Sequence, residues 1–246
     1  MSRREGSSVV VLAGGRGRRL GAFKPFMTIN GVSLVEMVIM KLRQIASEVL
    51  VVTDKVDELR RVVCKYGVKV VEDEIKGIGP IAGVYTGLRH MTGHRAFICG
   101  SDMIFINPRV VEFLLKQNGD VVVPIYRGYP EPLHAVYSKS ILPIIGELIK
   151  EGMYKVGEIL KFVKVNYVHE DQIRRYDPCL LTFFNINTRE DLEEAEKILN
   201  RIDKASRNPL SDVSMLYHLL SKSNRLMAKQ RKGYTVEYEE YHHNMS

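Results

Sequence analysis

The stretch VVLAGGRGRRLGAFKP, residues 10–25, decides how the rest of the chain is interpreted. Its apolar run stops at two glycines, and four basic residues follow within nine positions: Arg16, Arg18, Arg19 and Lys24. Glycines let the backbone adopt positive φ and approach a ligand closely, and successive N–H groups can then cradle an anion. Neighbouring cations repel one another unless water or an anion screens them. The stretch therefore predicts a cationic loop after a strand, which fits either a bound polyphosphate or an ordinary surface turn.

Two common phosphate-binding patterns do not match this loop. The segment GGRGRRLG has no Lys-Ser or Lys-Thr pair after it, so it is not a P-loop. It is not a G-x-G-x-x-G dinucleotide pattern either, because Gly21 comes one residue too late after Gly15 and Gly17. No helical pattern starts at once, which also disfavours a dinucleotide-binding unit.

Apolar runs and helical patterns alternate along the first half of the chain. The predicted strands are SVVVLA (8–13), EVLVVT (48–53), VKVVE (68–72) and RAFICG (95–100). The predicted helices lie at 34–45, near 56–65, from Pro80 within 79–91, and at 108–117. Short, continuous apolar strands separated by helices indicate an α/β protein whose mostly parallel sheet is covered on both faces.

The pattern changes in the second half of the chain. DVVVPIY and LHAVYS flank the proline-rich RGYPEP and are predicted to form an extended pair. Further strands are predicted at KVNYVHE (164–170) and LLTFFNIN (180–187). A helix is predicted over 188–199, with Thr188 as N-cap and acidic residues near its amino end, where the helix dipole favours them.

The composition bounds the class of protein. Apolar residues make up 45% and charged residues 26% of the chain, ordinary values for a globular protein, and no apolar run approaches the ~18 residues of a membrane span. The apolar run after the basic start covers only Val9–Ala13, too short for a signal peptide, so a cytoplasmic location without membrane contact is expected. Three scattered cysteines disfavour a disulfide scaffold or a zinc ribbon.

The net charge of +7 is concentrated in the loop region and after residue 200. A compact polyphosphate accounts for the charge around the loop, and a nucleic-acid partner is not expected because aromatic residues do not interleave with the basic ones of the tail. The segment after residue 200 is first linker-like, then contains VSMLYHLLSKSNRLMAKQ, which is predicted to form an amphipathic helix. We therefore expect one domain over residues 1–200 and a partly helical C-terminal extension over 201–246.

The segment LAGGRGRRLGAFKPFMTINGVSLVEMV resembles the signature of the α/β nucleotidyltransferases, L-A-G-G-x-x-x-R-[ML]-G-x-x-K-x-x-x-x-x-x-G-x-x-L. More narrowly, it is similar to the molybdenum cofactor guanylyltransferases. The resemblance covers residues 8 to about 200 and implies a single three-layer Rossmann-like nucleotidyltransferase domain with a mostly parallel central sheet. It also implies Mg²⁺-dependent transfer of GMP from GTP to the terminal phosphate of molybdopterin, with release of pyrophosphate.

Four further segments support the same resemblance. The first, VVEDEIKGIGPIAGVYTGL (70–88), ends a predicted strand in an acidic residue and then opens a helix with GPIAG. The second, FICGSDMIFINP (97–108), places an aspartate after a predicted strand, although Ser101 and Ile104 depart from the family pattern. The third is PEPLHAVYS (130–138), and the fourth is FFNINTREDL, which contains the family's N-x-N-T motif.

The resemblance assigns roles to individual residues. The catalytic set is Lys24, for charge at the α-phosphate, Arg19, which with Arg16 holds the leaving pyrophosphate, and Asp102, the Mg²⁺ ligand. The nucleotide-binding set adds Leu12, Ala13, Gly14, Gly15, Asp73 and Gly79. The acceptor side has Pro132 and His134, together with Asn185 and Asn187, of which Asn185 is favoured as the residue near the metal and phosphates. Phe23 departs from the family, which often has an acidic residue before the lysine, and is expected to shift Lys24.

Alternatives stay open at this point. An adenosylcobinamide-phosphate guanylyltransferase shares a similar loop and the N-x-N-T motif, and Pro25 suits it, whereas GIGPIAG and PLHAVY favour the pterin enzyme. A cytidylyltransferase usually reads L-A-A-G, so Gly14 favours GTP over CTP. Another small-molecule nucleotidyltransferase or a non-catalytic GTP-binding module also fits the fold, since a fold does not fix a function. The oligomeric state is open, a homo-oligomer included.

Overall fold

The computed structural model describes residues 7–14 and 23–207, and the chain divides into two units between Arg189 and Glu190. The described strands of the first unit are β1 (Ser7–Leu12), β2 (Thr28–Ile29), β3 (Val32–Ser33), β4 (Glu48–Thr53), β5 (Lys69–Glu72), β6 (Arg95–Gly100), β7 (Val121–Tyr126), β8 (Tyr129–Pro130), β9 (His134–Ser138) and β10 (Val165–Val168). Its α-helices are α1 (Leu34–Leu42), α2 (Val56–Val63), α3 (Pro80–His90), α4 (Pro108–Leu115), α5 (Leu142–Lys150) and α6 (Glu170–Arg174). The described part of the second unit belongs to α7 (Arg189–Arg207), whose first turn carries Glu190 and Asp191.

The main sheet has the strand order β10-β7-β9-β6-β1-β4-β5, with β8 added to β7. Strand β1 pairs in parallel with β4 and β6, in a register that aligns Val10 with both Leu50 and Ile98. Strand β9 runs antiparallel to its neighbours β6 and β7, whereas β10 and β7 are parallel. The expected α/β class with a mostly parallel central sheet is confirmed.

Both faces of β1 are buried, which explains its uninterrupted apolar sequence. Val9, Val10 and Val11 have no exposed surface. Val10 belongs to an apolar cluster that contains α3 and α5, and alternate residues of a strand point to opposite faces, so Val9 and Val11 face the side covered by α1 and α4. The result is the expected arrangement of three layers, with the sheet between two layers of helices.

Two glycines let α3 lie directly on β1. A Cβ atom at Gly87 would lie 2.5 Å from Val10 Cγ1, and one at Gly83 would lie 3.0 Å from Leu12 Cδ2. Such distances are too short for a side chain to fit without movement of the strand residues. Close packing at these positions brings the amino end of α3 to the carboxyl end of β1.

One predicted strand is wrong. The segment 180–187 forms no strand but a 3-10 turn at Leu181–Phe183, which begins after Leu180 with φ of +53°. Apolar runs that are wholly buried do not distinguish a strand from a packed loop, and here Asp177 accepts the Thr182 N–H that a neighbouring strand would otherwise have accepted. Helix α5 was not predicted, since Pro143 and Gly146 weaken its helical pattern.

The remaining predictions for elements agree with the structure to within a few residues, apart from α7, which continues well beyond 199. Residues 208–246, with the predicted amphipathic helix, lie outside the described residues. Among the helices of residues 23–207, none has both the length and the apolar character that a membrane span requires.

Candidate active site

The carboxyl ends of β1, β4, β5 and β6 meet at one edge of the sheet, where open α/β sheets bind their ligands. A cleft of about 900 Å³ opens at this edge. Its walls include backbone and side chains from the loops after all four strands, among them Leu12, Gly14, Asp54, Asp73, Gly79, Gly100 and Asp102. Lys24 and Leu133 also line it.

Backbone hydrogen bonds extend the parallel ladder one residue beyond the strand ends. Ala13 N–H donates to Val52 O (2.8 Å), Ser101 N–H to Leu12 O (3.1 Å), and Asp73 N–H to Thr53 O (2.9 Å). The first residue of each loop is therefore fixed to the sheet, so the loops leave the edge in defined directions.

Three polar side chains from distant parts of the chain meet at the cleft. Lys24 Nζ lies 3.1 Å from Asp102 Oδ2 and donates to Asn187 Oδ1 at 2.8 Å. The side chains of Lys24 and Asp102 are 21% and 22% exposed, so a ligand in the cleft can reach them. We call these three residues the lysine cluster.

The orientation of Asp102 depends on Gly100, a residue that the sequence analysis did not single out. A Cβ atom at position 100 would lie 2.4 Å from Asp102 Oδ1. The carboxylate therefore occupies space that is open only because the last residue of β6 has no side chain. The signal in the sequence is a glycine two positions before the aspartate.

The Asp102 main chain is also bonded to the segment that carries the asparagines. Ile186 N–H donates to Asp102 O at 3.1 Å. Asn187 contacts Lys24, whereas Asn185 Nδ2 donates to Phe183 O (3.3 Å) within its own loop. Of the two candidate asparagines, the structure brings Asn187 rather than the favoured Asn185 into the lysine cluster.

A second acidic group lies beside α3. Asp73 Oδ1 accepts the Thr86 hydroxyl at 3.1 Å, and burial raises the pKa of this carboxyl despite that hydrogen bond. Gly79 adopts φ of +84° just before α3 begins, a conformation that favours glycine, and it lines the cleft with Asp73. Asp54 and Thr86 were not among the predicted site residues. They lie at the end of β4 and on α3.

Phe23 comes directly before Lys24 in the chain. Its ring packs 5.0 Å from that of Phe26, and Lys55 Nζ lies 4.9 Å from its centroid, an arrangement in which the cation faces the π system. Lys24 contacts Asp102 and Asn187 with this ring beside it, and the shift of the lysine by Phe23 stays a prediction.

The structure places the predicted acceptor-side residues Pro132 and His134 in different surroundings. Leu133 lines the cleft beside Pro132, whose carbonyl accepts the Tyr137 hydroxyl at 2.6 Å. His134, by contrast, is fully buried, and its ring packs near the rings of Phe97 and Phe183. Burial lowers its pKa to about 3, so the imidazole is neutral at physiological pH. The structure does not bring His134 into the cleft, because it begins the buried strand β9.

Three predicted residues, Gly15, Arg16 and Arg19, lie outside the described residues. Leu12, Ala13 and Gly14 lie at the end of β1, where two of them line the cleft and Ala13 is buried. The predicted nucleotide-binding residues that the structure describes thus lie at one edge of the sheet.

The oxygen atoms that the cleft offers as ligands suit a metal ion that prefers oxygen. Mg²⁺ keeps several waters and takes one or two carboxylates together with substrate phosphates. Asp102 offers one partly exposed carboxylate. The amide oxygen of Asn187 accepts a hydrogen bond from Lys24, the lysine that also contacts Asp102. Within residues 7–14 and 23–207, no three His, Cys, Asp or Glu side chains are placed to enclose a metal. The residues present fit a metal shared with phosphate, not an all-protein site.

Comparison with known proteins gives one consistent result. The model of the MobA-like NTP transferase domain matches residues 9–167. The chain is 32% identical over 202 residues to a probable molybdenum cofactor guanylyltransferase of Natranaerobius thermophilus, covering 80% of this chain and 98% of that protein. A protein of the same description from Methanosarcina mazei is 36% identical over 197 residues, covering 76% and 88%.

A solved structure agrees with these relatives. Molybdopterin-guanine dinucleotide biosynthesis protein A from Archaeoglobus fulgidus matches with a TM-score of 0.70 and 33% identity, over 79% of this chain and 99% of that one. The matched region of the domain model includes Lys24, Asp73 and Asp102. The nucleotidyltransferase fold expected from the glycine-rich loop is thereby confirmed.

Proposed function

Since the chain belongs to the family of MobA-like NTP transferase domains, we propose that it transfers GMP from GTP to the terminal phosphate of molybdopterin. The observation that carries the proposal is the lysine cluster, in which one cation, one carboxylate and one amide meet at the mouth of a cleft of about 900 Å³. Relatives described as probable molybdenum cofactor guanylyltransferases support the choice of nucleotide and acceptor.

The reaction needs little covalent catalysis. An oxygen of the acceptor phosphate attacks the α-phosphorus of GTP, a new P–O bond forms, the α–β bridging P–O bond breaks, and pyrophosphate leaves with the electron pair. Such transfers depend on positioning and charge stabilisation. A phosphate nucleophile is already anionic near neutral pH, so the site needs no strong general base.

The residues of the cleft take the following roles in this scheme. Lys24 stabilises charge that develops around the α-phosphate, because its ammonium group is already held at the cleft by two oxygen partners. Asp73 and Gly79 bind the nucleoside at the amino end of α3. Asn187 orients Lys24. We assign Arg19 and Arg16, which lie outside the described residues, to the leaving pyrophosphate.

Asp102, with Asn187 beside it, is the residue that would hold Mg²⁺. The ion, when bound, supplies positive charge that neutralises the triphosphate.

The experiment is an acceptor screen. Purified protein is incubated with Mg²⁺ and either GTP or CTP, together with molybdopterin or adenosylcobinamide phosphate, and pyrophosphate release is measured. We expect release only with GTP and molybdopterin. Release with adenosylcobinamide phosphate in place of molybdopterin would reassign the acceptor, and silence with every pair would favour a non-catalytic GTP-binding module. A truncation at residue 200 tests the proposed division into a catalytic domain and a C-terminal extension.

A further inference from the structure

Two loops bring the acidic and amide members of the lysine cluster to Lys24. The Asp102 loop comprises residues 101–107, and the Asn187 loop comprises residues 177–187. They are far apart in sequence, yet Lys24 Nζ touches one residue from each at 3.1 Å and 2.8 Å. The distance between the two side chains therefore depends on what fixes one loop against the other.

A buried threonine connects the loops at the end away from the cluster. Thr182, which has no exposed surface, accepts the Asn107 N–H on its hydroxyl oxygen at 3.1 Å. The same oxygen lies 3.2 Å from His134 Nε2. Because the hydroxyl accepts from Asn107, its own hydrogen can be donated to the neutral imidazole. One hydroxyl thus joins the Asp102 loop, the Asn187 loop and strand β9.

The position of the threonine is itself fixed. Thr182 N–H donates to Asp177 Oδ2 at 2.8 Å. Burial raises the pKa of Asp177, while backbone N–H groups of residues 179–182 act in the opposite direction. The carboxyl therefore holds the turn at Leu181–Phe183 from inside the Asn187 loop.

The Asp102 loop has a second tether on its other side. Lys41 on α1 donates to Ile104 O at 2.7 Å, and its Nζ lies 5.8 Å from the centre of the Phe105 ring. At the opposite end, Ile186 N–H donates to Asp102 O. The loop is thus held by α1 at its middle and by the Asn187 loop at both ends.

We propose that Thr182 is a positioning residue for the lysine cluster: its hydroxyl sets the register between the Asp102 and Asn187 loops. Its effect on turnover rests on the proposed function, whereas its effect on the two loops does not. The valine side chain has nearly the shape of threonine but cannot accept the Asn107 N–H, so Thr182→Val isolates the hydroxyl. Thr182→Ser keeps the hydroxyl and serves as the conservative variant.

Ser8 provides a matched control at the other edge of the sheet. It is also fully buried, its hydroxyl donates to Glu48 Oε2 at 2.9 Å, and it accepts the Gly93 N–H at 3.3 Å. Ser8→Ala therefore removes a buried hydroxyl with the same pattern of partners but no connection to the cleft. It controls for loss of stability alone.

Hydrogen exchange followed by mass spectrometry is the first measurement. In Thr182→Val we expect faster exchange in both 101–107 and 181–187, and in Thr182→Ser near wild-type exchange. In Ser8→Ala the change should lie at the amino edge of the sheet. Faster exchange confined to the turn around Thr182, or equal behaviour of the valine and serine variants, would overturn the proposal. If the valine variant does not fold, Thr182→Cys replaces it, because a thiol is a weak acceptor.

Kinetics is the second measurement. We expect Thr182→Val to lower kcat about 10- to 100-fold and to raise the Mg²⁺ concentration for half-maximal rate, as changes to residues that orient ligands do. KM for GTP should stay near the wild-type value, because Asp73 and Gly79 lie on another loop. A kcat loss no larger than in Ser8→Ala would refute the positioning role. If the wild-type protein is inactive with every acceptor, the proposed function fails, and the exchange comparison still decides the role of Thr182.

Discussion

Two of the lysine–carboxylate pairs in the described part of the chain have similar geometry but different roles. Lys65 Nζ lies 2.8 Å from Glu36 Oε1, and Lys24 Nζ lies 3.1 Å from Asp102 Oδ2. The Glu36 carboxylate also accepts from Ser33 and from the Tyr66 hydroxyl, so both of its oxygens have partners. The position of Glu36 has a local explanation, because Ser33 and Glu36 form a capping box at the start of α1.

The pair of Lys24 and Asp102 at the cleft has no such explanation in local structure. Its members are 78 residues apart, and the third member, Asn187, is 163 residues from Lys24. The 3-10 turn Lys24–Phe26 begins at Lys24, but no side-chain hydrogen bond caps it. Groups that meet at a cleft without capping a helix are candidates for ligand exchange, whereas a carboxylate that caps a helix and has partners on both oxygens is structural. The comparison predicts that the two pairs respond oppositely to substitution.

Lys24→Ala should have the largest effect on activity. We expect kcat for GMP transfer to fall about 100- to 1,000-fold, because a preorganised cation aimed at the developing charge is lost. Thermal unfolding should stay close to that of the wild type, since both side chains of the pair are partly exposed. Steady-state pyrophosphate release measures the first quantity and differential scanning calorimetry the second. Near-normal turnover would remove Lys24 from the catalytic set.

Gly100→Ala should have the next largest effect. The new methyl group would lie 2.4 Å from Asp102 Oδ1, and because that atom ends a flexible side chain, the carboxylate can rotate away while the strand stays intact. We expect turnover to fall about 10- to 100-fold, with a higher Mg²⁺ requirement.

Gly146→Ala is the matched control for this substitution. A Cβ there would lie 3.6 Å from Tyr85, an ordinary contact, and α5 should gain helix propensity. Equal activity of the two variants would show that the orientation of Asp102 does not depend on the glycine.

The same residues show how far sequence alone can predict this molecule. Continuous apolar runs such as Val9–Val11 predicted the parallel strands, because both faces of the sheet are covered and every position must be apolar. Of the glycine-rich segment, the described residues Leu12, Gly14 and Lys24 line the cleft, and residues 15–22 lie outside the described residues. In these regions local pattern and tertiary environment agree.

Elsewhere tertiary contacts determine the local structure, and the sequence pattern gave a wrong prediction. The run at 180–187 is as apolar as a strand, yet Asp177 takes up its backbone donors and bends it into a turn. That turn selects Asn187 over Asn185 and places Thr182 against His134. The burial of His134 follows from the strand to which it belongs, a property that a motif match does not contain.

Glu36→Gln should separate the two pairs by stability. Although burial alone would raise it, hydrogen bonds from Lys65, Ser33 and Tyr66 bring the pKa of Glu36 from 4.5 down to about 2. A lowered carboxyl pKa stabilises the fold above pH 4.5, and the contribution is lost as pH falls from about 4.5 to about 2. We expect the variant to lose about 1–3 kcal/mol in free energy of unfolding at pH 7.

The pH dependence is the decisive part of that experiment. Urea unfolding of wild type and Glu36→Gln at pH 7, 4 and 2.5 should give a difference that shrinks towards the acid end, with turnover at pH 7 unchanged in the variant. A difference that is constant with pH would mean that the ionised form of Glu36 is not the stabilising species. A loss of turnover would show that the capping pair is coupled to the cleft after all.

Lys65→Met should have the smallest effect on stability and activity, and it gives the most direct test of the difference between the two pairs. Lys65 is largely exposed, and a solvent-exposed ion pair contributes little, so Tm should stay within about 2 °C of the wild type although the partner carboxylate is the same as in Glu36→Gln. Its kcat should equal that of the wild type, in direct contrast with Lys24→Ala. A Tm loss as large as that of Glu36→Gln would place the stabilisation in the ion pair. The expected small loss places it in the capping box, whose donors come from the helix end itself. By the same reasoning, Lys24 serves to bind the ligand that replaces Asp102 and Asn187 as its partners, and it does not serve to stabilise the fold.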